Sequence, residues 1–237
     1  MQMSLQIPEL KEYLKKQLEL FTPDGKTSQY YNGKDIDLAI SEAISRMEIC
    51  FSEINNPVYS DENGQTYFNY LHSDQYSQFL YWFMNSLWKI SQNKIICDKT
   101  VILNKALNNL FITYKCELPP HFLFAHPTGS IIGNAGYADY LVVSQNVTIN
   151  TGNDAIPSEK KSWATPILGK GLYLCAGAKI IGNKKIGNMV TVGVDAVIHN
   201  SEIGDNKIVY RNEYGEMIIK DNKNFAQNNY WRNGVVV

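Results

Sequence analysis

The chain contains four histidines that could take part in acid–base chemistry: His72, His121, His126 and His199. A neutral imidazole can accept the proton of a hydroxyl group while that hydroxyl attacks an electrophile, which is general-base catalysis worth about 10²–10⁴-fold in rate. The four cysteines are far apart and never form a CxxC pair, so neither a disulfide framework nor a zinc site is predicted. None of the glycines forms a Walker or dinucleotide-binding fingerprint.

The composition is that of a folded, near-neutral chain. The 237 residues include 22 Lys and Arg and 23 Asp and Glu, which gives a net charge of −1, and 44% of the residues are hydrophobic. This balance excludes a disordered chain and offers no general basic surface for nucleic acid or anionic membranes. No apolar run approaches the roughly 20 residues that span a bilayer, and the segment from Met1 to Lys16 does not resemble a signal peptide. We expect a cytoplasmic protein with no nucleic-acid partner and no membrane span.

The elements that must position these histidines differ between the two halves of the chain. In the first half, apolar residues recur at helical spacing over Ile7–Phe21 and again from about Asp35 to Ile54. A third helix is predicted to start at Ser73, which is a good N-cap, and a fourth to cover Val101–Leu110. The segment from Asn55 to Tyr67 is rich in Asn, Asp, Pro and Gly and indicates a loop.

In the second half, a period of six replaces the helical period. Aliphatic residues stand at six consecutive steps of six, and the residue after each is mostly small; the aliphatic residues are Leu168, Leu174, Ile180, Ile186, Val192 and Ile198. Such a repeat is typical of a stacked β-solenoid in which each hexad is one short strand and a corner. Ordinary strands would alternate with period two instead. The predicted fold class is therefore α+β, a helical N-terminal domain followed by a parallel β-helix of hexapeptide repeats.

The repeat is interrupted between Asn150 and Pro166, where the chain is polar and contains two prolines and a tryptophan. This stretch indicates a loop inserted in the solenoid, and a long loop inside a repeat array is more often functional than decorative. We predict three regions: a helical domain over residues 1–116, a β-helix domain over 117–219 with an inserted loop at 150–166, and a C-terminal tail over 220–237.

Three segments of the second half resemble the serine acetyltransferase family of hexapeptide-repeat acyltransferases. They are HPTGSIIGNA from His126, VSQNVTI from Val143, and PILGKGLYLCAGAKIIGNKKIGNMVTVGVDAVI from Pro166. The helical half is similar to the family in its layout. The resemblance implies a left-handed β-helix, acetyl-CoA as the co-substrate without a metal, and a homotrimer, with a dimer of trimers left open.

The resemblance implies a catalytic role for His126, because the family has its general base in a segment similar to His126-Pro-Thr-Gly. A carboxylate that holds the imidazole tautomer improves such a base. Glu117 is the candidate carboxylate, although it lies one hexad closer to the histidine than the family's Asp, and the alternative is a solvated linker charge. The family's Asp directly before the catalytic histidine is replaced by Ala125. The other three histidines lack this context and are predicted to be structural.

The resemblance also implies that the donor lies in a groove between neighbouring solenoids, where backbone amides at the corners hold it. Side chains at those corners must be small, and the predicted cofactor-binding residues are Asn150, Ala176, Gly177 and Val194. Asn150 and Thr151 stand where the family has a Gly-Gly pair. For each small residue the alternative is plain turn chemistry.

The match is weakest where the acceptor would bind. Ala164-Thr165 stands where serine enzymes of the family carry an Arg-His pair, so an amino acid carboxylate would lose a cationic partner. The predicted substrate-binding residues are Asp74, Trp163 and Thr165, and an aromatic loop suits stacking on a sugar ring. The main hypothesis is an O-acetyltransferase that acts on a saccharide hydroxyl in surface polysaccharide synthesis. The alternatives are a serine O-acetyltransferase of cysteine synthesis and a non-catalytic scaffold.

Overall fold

The structure is a computed structural model that describes residues 1–31, 33–150 and 165–235. It divides into two compact units. The first consists of Met1–Ser52 and Asn56–Lys115, and the second of Glu53–Asn55 and Cys116–Val237.

The first unit is mainly helical. Its helices are α1 (Ile7–Phe21), α2 (Lys26–Tyr30), α3 (Lys34–Glu53), α4 (Ser73–Ser91) and α5 (Lys94–Asn108), and its short strands are β1 (Gln2–Met3), β2 (Tyr67–Phe68) and β3 (Phe111–Ile112). The first two predicted helices are confirmed as α1 and α3. The fourth begins at Lys94 instead of Val101, because the Asn93 side chain accepts the N–H of Ile96 at 3.2 Å and caps the helix there. No helix among the described residues is both long and apolar enough to cross a membrane.

Helix α4 is buried over most of its surface, including at polar positions. The polar side chains are tolerated because they satisfy backbone groups of neighbouring loops. The Gln75 amide accepts the N–H of Asn69 at 2.7 Å and donates to the carbonyl of Val58 at 2.8 Å. The Asn85 amide donates to the carbonyl of Tyr114 at 3.0 Å. These contacts hold the loops of the first unit around α4.

The second unit is built of short strands that stack in parallel. They are β4 (Phe122–Phe124), β5 (Ile131–Ile132), β6 (Gly136–Tyr137), β7 (Leu141–Val143), β8 (Thr148–Asn150), β9 (Ile167–Leu168), β10 (Tyr173–Leu174), β11 (Lys179–Ile181), β12 (Lys185–Ile186), β13 (Thr191–Val192), β14 (Val197–His199), β15 (Lys207–Arg211) and β16 (Met217–Asp221). Face 1 contains β4, β7, β10, β13 and β15, face 2 contains β5, β8, β11 and β14, and face 3 contains β6, β9 and β12. Successive strands along the chain visit the three faces in turn, so three strands make one coil.

The register of these strands explains the period of six. Leu174 pairs with Val143 in the coil before it and with Val192 in the coil after it, and Ile180 pairs likewise with Ile149 and Ile198. One coil thus takes 18 residues, or three hexads, between Leu174 and Val192. All six aliphatic residues of the repeat are buried, which confirms that they form the core of a solenoid.

The C-terminal segment, residues 222–235, folds back on face 1 after β16 has paired antiparallel with β15. The Gln227 amide accepts a hydrogen bond from Thr191 Oγ1 at 3.2 Å and donates to the carbonyl of Gly171 at 3.1 Å. The Asn222 amide donates to the same Thr191 hydroxyl at 3.1 Å. These three side chains are buried, so a satisfied polar network anchors the segment. The C-terminal segment is therefore part of the second unit's packing.

Candidate active site

One edge of the β-helix, where the chain turns from face 1 to face 2, carries most of the predicted site residues. Four corners, residues 125–130, 144–147, 175–178 and 193–196, stack along it, and we call it the His126 edge. His126 lies in the first corner, Ala176 and Gly177 in the third, and Val194 in the fourth. Adjacent coils are about 4.8 Å apart. The structure thus brings these four predicted residues to one edge.

His126 lies on a two-residue insertion in this edge. Phe124 pairs with Val143 and Ile131 pairs with Thr148, so the first corner has two more residues than the corner stacked on it. The N–H of Ala125 donates to Val143 and the N–H of Asn146 donates to Thr128, so the extra residues are His126 and Pro127.

The insertion presents the His126 side chain to solvent. His126 is exposed and has φ +57°, a left-handed conformation that costs a non-glycine residue about 1–3 kcal/mol and is typical of functional sites. Pro127 beside it is buried. The fold thus holds an exposed imidazole on a buried proline.

Three backbone N–H groups along the same edge make no hydrogen bond within the described part of the chain. They belong to Gln145, Ala176 and Val194, which stand at equivalent positions in three successive corners. Their neighbours are paired, since Gly177 donates to the carbonyl of Gln145 and Asp195 to that of Ala176. All three residues are at least partly exposed. The edge therefore presents a ladder of free donors, and two of its three members are predicted donor-binding residues.

Gly177 meets two independent requirements of its corner. Its φ is +72°, which glycine adopts without strain, and a Cβ there would lie 2.0 Å from Oδ1 of Asp195 in the next coil. Gly129 repeats both features against Asn146 two coils earlier. The small residue at this corner is explained by turn geometry and close stacking of coils.

The other predicted donor residue, Asn150, lies on a different edge. It ends β8 and is exposed where the chain leaves face 2. The 14 residues that follow it, from Thr151 to Ala164, lie outside the described residues and include Trp163. Thr165 is half-buried and precedes Pro166, whose carbonyl accepts the N–H of Gly136 at 2.9 Å. The regular ladder is thus restored at Pro166.

Glu117 and Asp74 lie apart in the chain and differ in their burial. Glu117 is exposed in the segment that leads into β4. Asp74 belongs to the first unit, where it is buried in the first turn of α4 and its carbonyl accepts the Ser77 hydroxyl at 2.8 Å. A carboxylate in the first turn also interacts favourably with the helix dipole.

The structure pairs His121 with Asp139, a contact that the sequence interpretation missed. Nδ1 of His121 lies 2.8 Å from Oδ2 of Asp139, and the backbone N–H of His121 donates to Oδ1 at 2.9 Å. The imidazole stacks on Tyr140 with ring centroids 4.9 Å apart. The hydrogen bond to Asp139 raises the pKa of His121 above its usual 6.5. The signal was available, because residues 121 and 139 are 18 apart and therefore neighbours in adjacent coils.

This pair predicts a pH-dependent contribution to stability. Since the pKa of His121 is raised on folding, the stabilisation is complete below about pH 6.5 and is lost as the pH rises through the raised pKa. Replacing Asp139 by Asn should lower the free energy of unfolding by about 1 kcal/mol near pH 6 and by much less near pH 9. Urea unfolding of both proteins across this range measures the difference. A difference that stays constant with pH would contradict the assignment.

Solved structures with this fold are serine acetyltransferases. Isoform 3 from Entamoeba histolytica, in complex with cysteine, matches with a TM-score of 0.58 and 18% identity over 90% of this chain and 73% of that chain. The enzyme from Brucella abortus strain S19 in complex with coenzyme A gives 0.62 and 15% over 90% and 83%. The Neisseria gonorrhoeae enzyme gives 0.61 and 14% over 92% and 80%.

The comparison by sequence gives nothing further, since no family model and no curated protein matches the chain. Among the described residues, no group of three or more His, Cys, Asp or Glu side chains could hold a metal ion. The structural matches confirm the predicted fold class. The chain has the fold of the serine acetyltransferases, a helical N-terminal region followed by a left-handed parallel β-helix of hexapeptide repeats.

Proposed function

We propose that this chain is an acetyl-CoA-dependent O-acetyltransferase whose acceptor is the hydroxyl group of serine. One observation carries the proposal: an exposed histidine and a ladder of free backbone N–H groups share the His126 edge. A base and a set of amide donors are what transfer from a pantetheine thioester to an alcohol requires.

The N–H ladder suits the donor. The pantetheine arm of coenzyme A is a narrow chain with two amide carbonyls, which can accept hydrogen bonds from N–H groups spaced about 4.8 Å apart along the edge. The corners beside these groups carry short side chains, among them Ala176 and Gly177, so the arm can approach the backbone closely. The Brucella abortus structure with this fold is a complex with coenzyme A. We propose Gln145, Ala176 and Val194 as donors to the arm.

His126 supplies the proton transfer. Its imidazole accepts the proton of the acceptor hydroxyl as the oxygen bonds to the acetyl carbonyl carbon. The tetrahedral intermediate then collapses, the carbon–sulfur bond breaks, and the imidazolium returns its proton to the departing thiolate of coenzyme A. The products are the O-acetyl ester and free coenzyme A. We propose that Glu117 orients the imidazole.

Serine is the acceptor that the structural comparison favours, because the three solved structures are described as serine acetyltransferases. A sugar hydroxyl is the second candidate. The sequence observation behind it is Ala164-Thr165, which leaves the amino acid carboxylate without the cationic pair expected there. Asp74 is the proposed partner of the serine ammonium group.

We further propose that the chain works as a homotrimer in the cytoplasm. Ile131 on face 2 and Ile167 on face 3 are large apolar side chains left more than 40% exposed, which supports packing of one solenoid on another. The four cysteines are all free, as in proteins of a reducing compartment. Light scattering should give about three times 26.9 kDa. A stable monomer would contradict the trimer.

The enzymatic proposal is tested by two measurements on the full chain. The first is calorimetric titration with coenzyme A, and the second follows free thiol when acetyl-CoA and L-serine are supplied together. We expect saturable binding, and thiol release that depends on both the protein and L-serine. Absence of coenzyme A binding together with absence of thiol release would reject the proposal.

A further inference from the structure

Four side chains form a neutral polar cluster beside the His126 edge. The hydroxyl of Tyr230, from the C-terminal segment, donates to the hydroxyl of Tyr173 on face 1 at 2.8 Å. The two rings also contact each other edge to face, with centroids 5.1 Å apart. Ser144 and Cys175 complete the group through hydrogen bonds with Tyr173. We call Ser144, Tyr173, Cys175 and Tyr230 the hydroxyl cluster.

The hydroxyl cluster is uncharged at neutral pH. Burial raises the pKa of the Tyr173 phenol, and the hydrogen bond with Tyr230 raises it further. Burial also raises the pKa of the Cys175 thiol, so it remains protonated and is a poor nucleophile. The cluster can therefore donate and accept hydrogen bonds, while an ion-pairing role is excluded.

The cluster adjoins the ladder of free N–H groups. Ser144 directly precedes Gln145, and Cys175 directly precedes Ala176, whose N–H groups are two of the three free donors. Ser144 also stacks on Cys175's coil, since its N–H donates to the carbonyl of Leu174 at 3.0 Å. One side of the His126 edge is thus a row of N–H donors, and the adjoining side is a group of hydroxyl and thiol groups.

The position of Tyr230 is fixed by the fold. It ends the 3₁₀ helix Ala226–Tyr230, which the buried Gln227 ties to Thr191 and Gly171. The next residue, Trp231, is buried and pairs as an isolated bridge with Ile54. Tyr230 is held on both sides, so it can orient the Tyr173 hydroxyl at little further cost in entropy.

The N–H ladder leaves one need of an amide-bearing ligand unmet. Each amide of such a ligand has a carbonyl, which the ladder can bind, and an N–H, which needs an acceptor. The backbone carbonyls of Gln145 and Ala176 already accept the N–H groups of Gly177 and Asp195. Hydroxyl oxygens next to the ladder are the acceptors nearest in kind and place.

We propose that the hydroxyl cluster is the acceptor side of the site for the amide-bearing pantetheine arm. Tyr173 contacts the arm, and Tyr230 is a positioning residue that acts through Tyr173. This inference rests on the proposed function, because it assigns residues that recognise the same donor. It also makes the C-terminal segment part of the donor site.

The test compares donors with and without amides, using Tyr173→Phe, Tyr230→Phe and the control Tyr214→Phe, whose side chain is 80% exposed. For Tyr173→Phe we expect the KM for acetyl-CoA to rise about 2- to 12-fold, the value of one neutral hydrogen bond, with kcat nearly unchanged. Tyr230→Phe should give a smaller rise. S-ethyl thioacetate, a thioester without amides, should react equally with all four proteins, which also shows that the variants fold.

Two outcomes would overturn the inference while leaving the proposed function intact. One is a Tyr173→Phe protein whose KM for acetyl-CoA and Kd for coenzyme A equal those of the wild type. The other is an equal loss of activity with acetyl-CoA and S-ethyl thioacetate, which would place Tyr173 in the chemical step or in folding. Ser144→Ala provides a second variant should Tyr173→Phe be insoluble, and it should raise the same KM. Failure of the wild type to bind coenzyme A would reject both proposals.

Discussion

Replacing His126 by Ala is expected to lower kcat at least about 100-fold, while the Kd for coenzyme A changes little. The expected loss is large because a neutral hydroxyl is a weak nucleophile and His126 is the proposed proton acceptor. Binding should survive because the proposed donors to the arm are backbone N–H groups of Gln145, Ala176 and Val194, one or more coils away. Steady-state thiol release and calorimetric titration give the two quantities.

The matched control is His199→Ala. His199 is also exposed and lies on the same solenoid, at the end of β14, but on face 2. It should retain nearly full activity. A His126→Ala protein with turnover near that of the wild type would remove His126 from the mechanism. His121→Ala is a poor control, because it breaks the pair with Asp139 and should reduce stability.

The architecture of the second unit was predictable because each hexad repeats the same physical demand. A residue such as Ile180 points into the core of every coil, so the period of six appears directly in the sequence. Helices α1 and α3 were predictable from their apolar stripes in the same way. Helix α5 was placed too late, because the signal for its start is the side chain of Asn93, a single residue among several asparagines.

The candidate site was predictable only in part, because it depends on which residues stack between coils. Ala176, Gly177 and Val194 were found through small side chains at corners, and the structure places them on the edge of His126. The pair of His121 and Asp139 needed the 18-residue coil length, which becomes clear only once the strands are in register. The contact between Tyr173 and Tyr230 has no repeat to reveal it, since the C-terminal segment lies outside the solenoid pattern.

L-Serine is expected to be the better acceptor, with a kcat/KM about 10- to 150-fold above that of a neutral hexose such as glucose. The factor corresponds to one charge-assisted hydrogen bond, about 1.5–3 kcal/mol, that the zwitterion can form and a neutral sugar cannot. Asp74 is the proposed partner of the serine ammonium group, and the structure shows its carboxyl group buried, where a charge interaction is screened less by water. Thiol release from acetyl-CoA at equal acceptor concentrations gives the comparison.

The variant Asp74→Asn separates the two acceptors, because it removes the charge at nearly constant shape. It should lower kcat/KM for L-serine by about the same 10- to 150-fold and leave the rate with glucose unchanged. Glu9→Gln is the matched control, since Glu9 is likewise in the first turn of a helix, α1, but is exposed and bonded locally to the N–H of Gln6. A wild-type protein that acetylates glucose more efficiently than L-serine would replace serine with the sugar acceptor suggested by Ala164-Thr165. The absence of the Arg-His pair would then be the residue change that sets the specificity.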